Sequence, residues 1–243
     1  MSEQSTVAFW DERFSGSDVG DASEAKLPNH LDKGVAFFGP VEGKRILDIG
    51  CGLGENAIAL ARMGAAVTAV DTSSVAVEKL NRFAADHRLS IDAAVCDAMR
   101  IDALGEFDFV VGAMILHHLE PFEAFCGVLD AAMKPGGKAF FFENNAASRL
   151  LVWCRHNLVG RFGIPKYGDD DEFPLTPQEV DALRRRFRVT QDYPEMGFFI
   201  LASVYLLKRR GEGACRRLDE FLFKRGILKS RSYRQILMVE KPA

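Results

Sequence analysis

The stretch Ile46-Leu47-Asp48-Ile49-Gly50-Cys51-Gly52-Leu53-Gly54 limits what this chain can fold into more than any other. An aliphatic run enters a turn with glycines at alternate positions, and GENAIALARMG (54–64) then carries helical periodicity as far as Gly64. A strand delivered into such a turn and on into a helix is the first βα unit of a parallel sheet. Glycines there let the backbone approach a ligand closely and adopt positive φ without a Cβ clash. Dinucleotide enzymes also use a glycine-rich first turn, but with G-x-G-x-x-G spacing. The spacing here is G-x-G-x-G, and Asp48 just before the first glycine would repel a pyrophosphate. A nicotinamide site is therefore disfavoured.

The pattern continues as alternating strands and helices. KRILDIGC (44–51), AAVTAVD (65–71), SIDAAVCDA (90–98), EFDFVVGA (106–113) and KAFFFE (138–143) read as strands. VAVEKLNRFAADH (75–87) and PFEAFCGVLDAAM (121–133) read as helices, the latter with Pro121 in its first turn, where a missing N–H costs little. KPGG (134–137) is a turn. After 143 the alternation lapses through WCRHNLVGRF, a GIP turn and the acid run GDDDE. TPQEVDALRRRF (176–187) resumes as a helix, with Thr176 and Glu179 at capping-box spacing and Pro177 at its first position. RVTQDY (188–193) and SYRQILMVE (232–240) read as two last strands. Between them MGFFILASVYLL (196–207) is too short to span a bilayer and predicts a buried or substrate-lining helix.

Acidic residues fall at the ends of successive strands: Asp48, Asp71 and Asp97. A carboxylate at position 71 can accept both hydroxyls of a ribose. In order and spacing these segments resemble the class I S-adenosylmethionine-dependent methyltransferases of the small-molecule type. ILDIGCGLGENAIALA matches that family's first motif, VTAVDTS its second, CDA its adenine-contacting segment, FDFVVGAMILHHL its fourth-strand motif and MKPGGKAFFFE its turn into strand five. FWDERF (9–14) is similar to its N-terminal lid helix. The match is close over about residues 35–143 and looser over the terminal strands.

The resemblance implies a Rossmann-like, doubly wound α/β fold, with a seven-stranded, mostly parallel sheet, an antiparallel last strand and helical cap insertions. It implies one methyltransferase domain over 1–243, with a lid at 1–34, a cofactor-binding core at 35–143 and substrate-cap insertions at 144–175 and 194–231. The cofactor would be S-adenosyl-L-methionine. Gly50, Cys51, Gly52 and Gly54 would bring backbone beside its methionine part, and Asp48 would sit near its amino group. Asp71 with Thr72 would serve the ribose, and Asp97 with Ala98 the adenine. Asn56 and Ala113 complete the expected cofactor set; Asn56 reads equally well as a helix-start residue bonding its own backbone.

Adjacent histidines in MILHHLEP (114–121) do not point the same way, so a shared metal is a poor reading and no metal site is expected. Related enzymes often retain a histidine at position 118, which makes His118 the structural member and His117 the base candidate, with Glu143 and His156 as rivals. Trp10, Arg13, Asn144, Arg149, Trp153 and Phe198 are expected to contact the acceptor, and an aromatic, partly cationic lining (with Arg155, Arg161, Lys166, Phe199 and Tyr205) suits a hydrophobic acceptor with an anionic group. The same aromatics read equally well as the core of the cap.

The fourth-strand segment carries Gly112-Ala113-Met114-Ile115 where nucleic-acid amino-methyltransferases carry Asn/Asp-Pro-Pro-aromatic. The net charge of −3 divides into +7 from Lys208 onward and −10 before it, an acidic body unsuited to tracking phosphates. No nucleic-acid partner is expected. The basic end reads as a solvated helical face, with weak peripheral membrane contact as the alternative. Cysteines 51, 96, 126, 154 and 215 form no CxxC pair, and MSEQSTVAFWDERF has no signal-peptide character, so a reducing, cytoplasmic setting is expected. The functional expectation is methyl transfer to a small, partly hydrophobic metabolite, with oxygen preferred as acceptor. The alternatives are N- or C-methylation of a lipid, prenyl or quinone precursor at a membrane surface, and a non-catalytic cofactor-binding scaffold.

Overall fold

Seven strands form one sheet: β1 Arg45–Ile49, β2 Ala66–Asp71, β3 Ile91–Val95, β4 Phe107–Ala113, β5 Met133–Asn144, β6 Arg188–Asp192 and β7 Arg234–Glu240, in the order β3-β2-β1-β4-β5-β7-β6. The computed structural model describes residues 3–19, 27–158, 161, 173–207 and 210–243. Lys166, the acid run at 168–172, Lys208 and Arg209, and the side chains of Arg155 and Tyr205, lie outside what is described. β7 is antiparallel to both its neighbours, and every other pairing is parallel. Reversal from β1 outward, with β2 on one side and β4 on the other, makes the switch point where ligands of such sheets bind.

Helices cover both faces because strands buried on both sides present apolar residues to each face, as Ile46, Leu47 and Ile49 do in β1. Leu47 and Ile49 join one core with α5 (Phe122–Ala132) and α7 (Pro177–Arg184). Ile46 joins the other with α2 (Leu31–Phe38), α3 (Glu55–Arg62) and α4 (Ser74–His87). A fully buried Phe125 or Leu80 contributes about 1.5–3 kcal/mol each by area. Thr176 and Glu179 form the reciprocal cap of α7 that their spacing predicts. β5 begins earlier than KAFFFE, because the Lys134–Gly137 turn is drawn into the strand with a register shift opposite Phe107–Phe109.

Four further helices lie outside the core. α1 (Glu3–Ser15) lies on α4, where Lys79 Nζ donates to the carbonyls of Phe14, Ser15 and Ser17, and Ser73 Oγ donates to Asp11 Oδ1. α6 is Arg149–Leu158 and α8 is Phe198–Leu207. α8 takes up the apolar 196–207 run and packs on α9 (Glu212–Lys224). Buried Asp219 of α9 accepts from the amides of Phe199 and Ile200, capping the first turn of α8.

Candidate active site

The carboxyl ends of β1, β2, β3 and β4 open into one cavity of about 690 Å³. Its floor and walls come from Gly50, Gly52, Asp71, Thr72, Asp97, Ala98, Met99, Ala113, Met114, Ile115 and His118. α1 closes the top with Thr6, Val7, Trp10 and Phe14. The glycine turn is needed for this shape. Gly50 has φ +63°, and a Cβ there would sit 2.7 Å from Ile115; Gly52 has φ +50°, and a Cβ there would meet Phe14 at 3.2 Å.

Asp71 is fixed by backbone: its Oδ2 accepts from Gly52 N at 2.8 Å and its Oδ1 from Ser73 N at 2.9 Å. Burial raises its carboxyl above the usual range, against the pull of the Ser73, Gly52 and Thr72 amides. Asp97 N-caps the short 3-10 turn that follows β3, its Oδ1 accepting from Met99 N at 2.9 Å. Acids at these two ends, with Ala98 and the thioether of Met99 beside them, form a wall that accepts from hydroxyl or amine donors and packs on a flat apolar surface.

Asp48 is not on the cavity wall. It lies beneath the glycine turn at 1% exposure, where Oδ2 accepts from Ala57 N at 3.1 Å and Oδ1 has no partner among the described residues. Burial pushes its carboxyl up from the ordinary 3.8 to about 7, although the Ala57 amide and the nearby Asn56 side chain pull the other way. Such an orphaned oxygen fits a ligand that brings a cationic group or an ordered water to the turn. Gly54, which ends the turn as the N-cap of α3, and Asn56 do not line the cavity; Asn56 Oδ1 accepts from Asn29 Nδ2 at 3.4 Å rather than from its own backbone. The Cys51 thiol, beneath the same turn, is pushed well up by burial.

The histidines after β4 are distributed differently from their sequence ranking. His118 lines the cavity, with its ring 6.3 Å from that of Trp10 at 89°. His117 is turned into the interior, its side chain 2% exposed, and its Nδ1 lies 2.7 Å from Glu143 Oε2. The Oε1 of Glu143 accepts from the amides of Ile115 and Leu116. With no exposure and both oxygens committed, Glu143 anchors the turn that follows β4 and does not face the cavity. That anchoring matters because Met114 sits at φ +57°, a left-handed conformation costing a non-glycine residue roughly 1–2 kcal/mol. His156 is exposed on α6, its ring against Phe173.

Of the expected acceptor residues, Trp10 alone lines the cavity. Arg13 lies on the solvent side of α1, its guanidinium 5.7 Å from the Trp10 ring. Arg149 is exposed, and Trp153 is 55% exposed on the outer side of α6. Phe198 packs on Phe199 within the cap. Asn144 is buried, its Oδ1 accepting from Arg234. No described residue of 144–175 or 194–231 reaches this cavity, because α6, α8 and α9 pack on one another. Met99 and Arg234 carry no motif in the sequence and become visible only here, and Phe14, part of the FWDERF segment, is not singled out there.

A family model for the methyltransferase domain matches residues 46–137. A protein of Methylocella silvestris named ubiquinone biosynthesis O-methyltransferase is 42% identical over 188 residues, covering 68% of this chain and 72% of that protein. One of the same name from Brucella ovis is 37% identical over 146 residues, 59% of this chain; the chain spans only 58% of that relative's length. Among solved structures, a SAM dependent methyltransferase from Archaeoglobus fulgidus aligns with TM-score 0.59 at 18% identity, covering 96% of this chain and 99% of that one. At that identity the likeness is one of fold.

Proposed function

The chain belongs to the class I S-adenosylmethionine-dependent methyltransferase family, and from that premise we propose that it transfers a methyl group to a hydroxyl oxygen of a small, partly hydrophobic acceptor. The observation that carries the reading is the convergence on one cavity of the glycine turn, Asp71 and Asp97 beneath the aromatic residues of α1. When bound, S-adenosylmethionine supplies an electrophilic methyl on a sulfonium. Gly50 and Gly52 present backbone to its amino-acid part, and Asp71 accepts from the ribose hydroxyls. Asp97 accepts from the adenine amine, while Ala98 and Met99 flank the base. Trp10 and Phe14 cover the cavity and would exclude water from the reacting face when donor and acceptor are bound.

A hydroxyl acceptor must lose its proton, and His118 is the histidine placed on the cavity wall to take it. His117, tied to Glu143, orients the turn that carries His118. The names of the relatives support oxygen as the acceptor atom and a hydroxylated quinone precursor as the acceptor class. Apolar lining from Val7, Trp10, Ile115 and Leu119 suits such a ring. Among the described residues no helix is long and apolar enough to cross a membrane. The test is incubation with isotopically labelled donor and a metabolite extract, alongside donor titration by calorimetry. Labelled product of an O-methyl ether and release of S-adenosylhomocysteine are expected. Tight donor binding without any labelled product from extract or added catechols would leave only a binding scaffold.

A further inference from the structure

At the carboxyl edge of the sheet, one cation is held in place without a carboxylate. Arg234 opens β7, opposite Asn144 at the end of β5. Because β7 runs antiparallel, its first residue shares the edge where β4 delivers Ala113 and Met114. Arg234 Nη1 donates to Asn144 Oδ1 and lies 3.1 Å from the Sδ of Met114, which lines the main cavity. The guanidinium lies 5.5 Å from the Phe142 ring centroid and 5.2 Å from that of Tyr233. The His30 ring adjoins Phe142 at 5.2 Å. Arg234 forms no ion pair among the described residues, and the neighbouring Glu143 is committed to Ile115, Leu116 and His117.

An amide oxygen, a thioether and two rings surround a half-buried guanidinium, and no carboxylate among the described residues compensates its charge. Nε and Nη2 make no hydrogen bond among the described residues, which leaves a planar fork of donors. A guanidinium flanked by two rings suits a planar carboxylate. Met114 is shared between this cluster and the lining of the main cavity, so Arg234 stands directly behind one residue of the cavity wall.

We propose that Arg234 is the specificity residue for a carboxylate on the methyl acceptor, a group separate from the oxygen that is methylated. This rests on the methyl-transfer reading, and the experiment keeps the two apart. With S-adenosylhomocysteine bound, calorimetry compares 3,4-dihydroxybenzoate with 3,4-dihydroxybenzamide on the full chain and on Arg234→Gln and Arg234→Lys. The carboxylate is expected to bind about 10–100-fold more tightly than the amide to the wild-type chain and equally weakly to Arg234→Gln, with Arg234→Lys between them. Affinity for S-adenosylhomocysteine stays unchanged in both variants. Labelled product from the extract is retained by an anion exchanger at neutral pH, and Arg234→Gln raises KM for it far more than it lowers kcat. Equal affinity for the two probes, failure of both to bind at millimolar concentration, or a labelled product that the exchanger does not retain would overturn the assignment. Absence of any labelled product, with the carboxylate preference intact and Arg234-dependent, would refute methyl transfer and leave the carboxylate site standing.

Discussion

Asp48 ties the stability of this protein to pH in a direction opposite to that of an ordinary paired carboxylate. Its carboxyl is 1% exposed with one oxygen unpartnered, and burial raises it from 3.8 to about 7. Between those values the folded chain holds a proton that the unfolded chain has released, so unfolding becomes easier as pH rises. The stabilisation is fully present below pH 3.8 and is lost as pH rises through about 7. Three pH units at about 1.4 kcal/mol each give about 4 kcal/mol as the full span. Asp48→Asn removes the titration while keeping an oxygen for Ala57 N–H. Urea unfolding of both chains at half-unit steps from pH 4.5 to 8.5 isolates the residue, because groups that do not interact with Asp48 cancel in the difference. The variant is expected to gain on the wild type by roughly 1 kcal/mol per unit up to pH 7 and to level off above it. A difference that stays flat across this range would refute the reasoning, since it would mean that water reaches the carboxylate beneath the turn.

Gly54→Ala places a Cβ 2.3 Å from Leu80 Cδ1 at φ +84°, and urea unfolding should show a loss of about 2–4 kcal/mol. Lys79→Met frees the carbonyls of Phe14, Ser15 and Ser17; faster limited proteolysis within α1 and donor affinity weakened about 3–10-fold are expected, with the core melting unchanged. His118→Ala should lower kcat about 10²–10⁴-fold and spare donor affinity, whereas His117→Ala should cost stability of about 2–3 kcal/mol by stripping a partner from buried Glu143. Stopped assays with separate donor titrations distinguish the two, and equal loss of kcat without loss of stability in both would refute this division.

The order of strands and helices, the glycine turn and the acids at 48, 71 and 97 were legible in the sequence because each is a local event. Alternation of period follows from which residues can be buried, and a βα turn lies between elements that are neighbours in the chain. The capping of α7 by Thr176 and Glu179 is local in the same way. Even there, depth was hidden: Asp48 and Asp71 look alike as strand-end acids, yet one is roofed by the turn and the other lies on the cavity wall.

The acceptor side was set by tertiary structure alone. His117 and His118 differ in role because Glu143, on a neighbouring strand, captures one ring and leaves the other facing Trp10. Aromatics at 153 and 198 are indistinguishable in the sequence from ligand-lining residues, but Trp153 faces solvent on α6 and Phe198 packs on Phe199 in α8, both away from the cavity. Arg234 carries no motif, and it meets Met114 and Asn144 only because β7 inserts antiparallel between β5 and β6. The sequence by itself determined the glycine turn and strand-end acids proposed to hold the donor, which lie within one βα turn of each strand. Only the tertiary structure decided the residues proposed for the acceptor, because strand order and direction determine which distant residues share an edge.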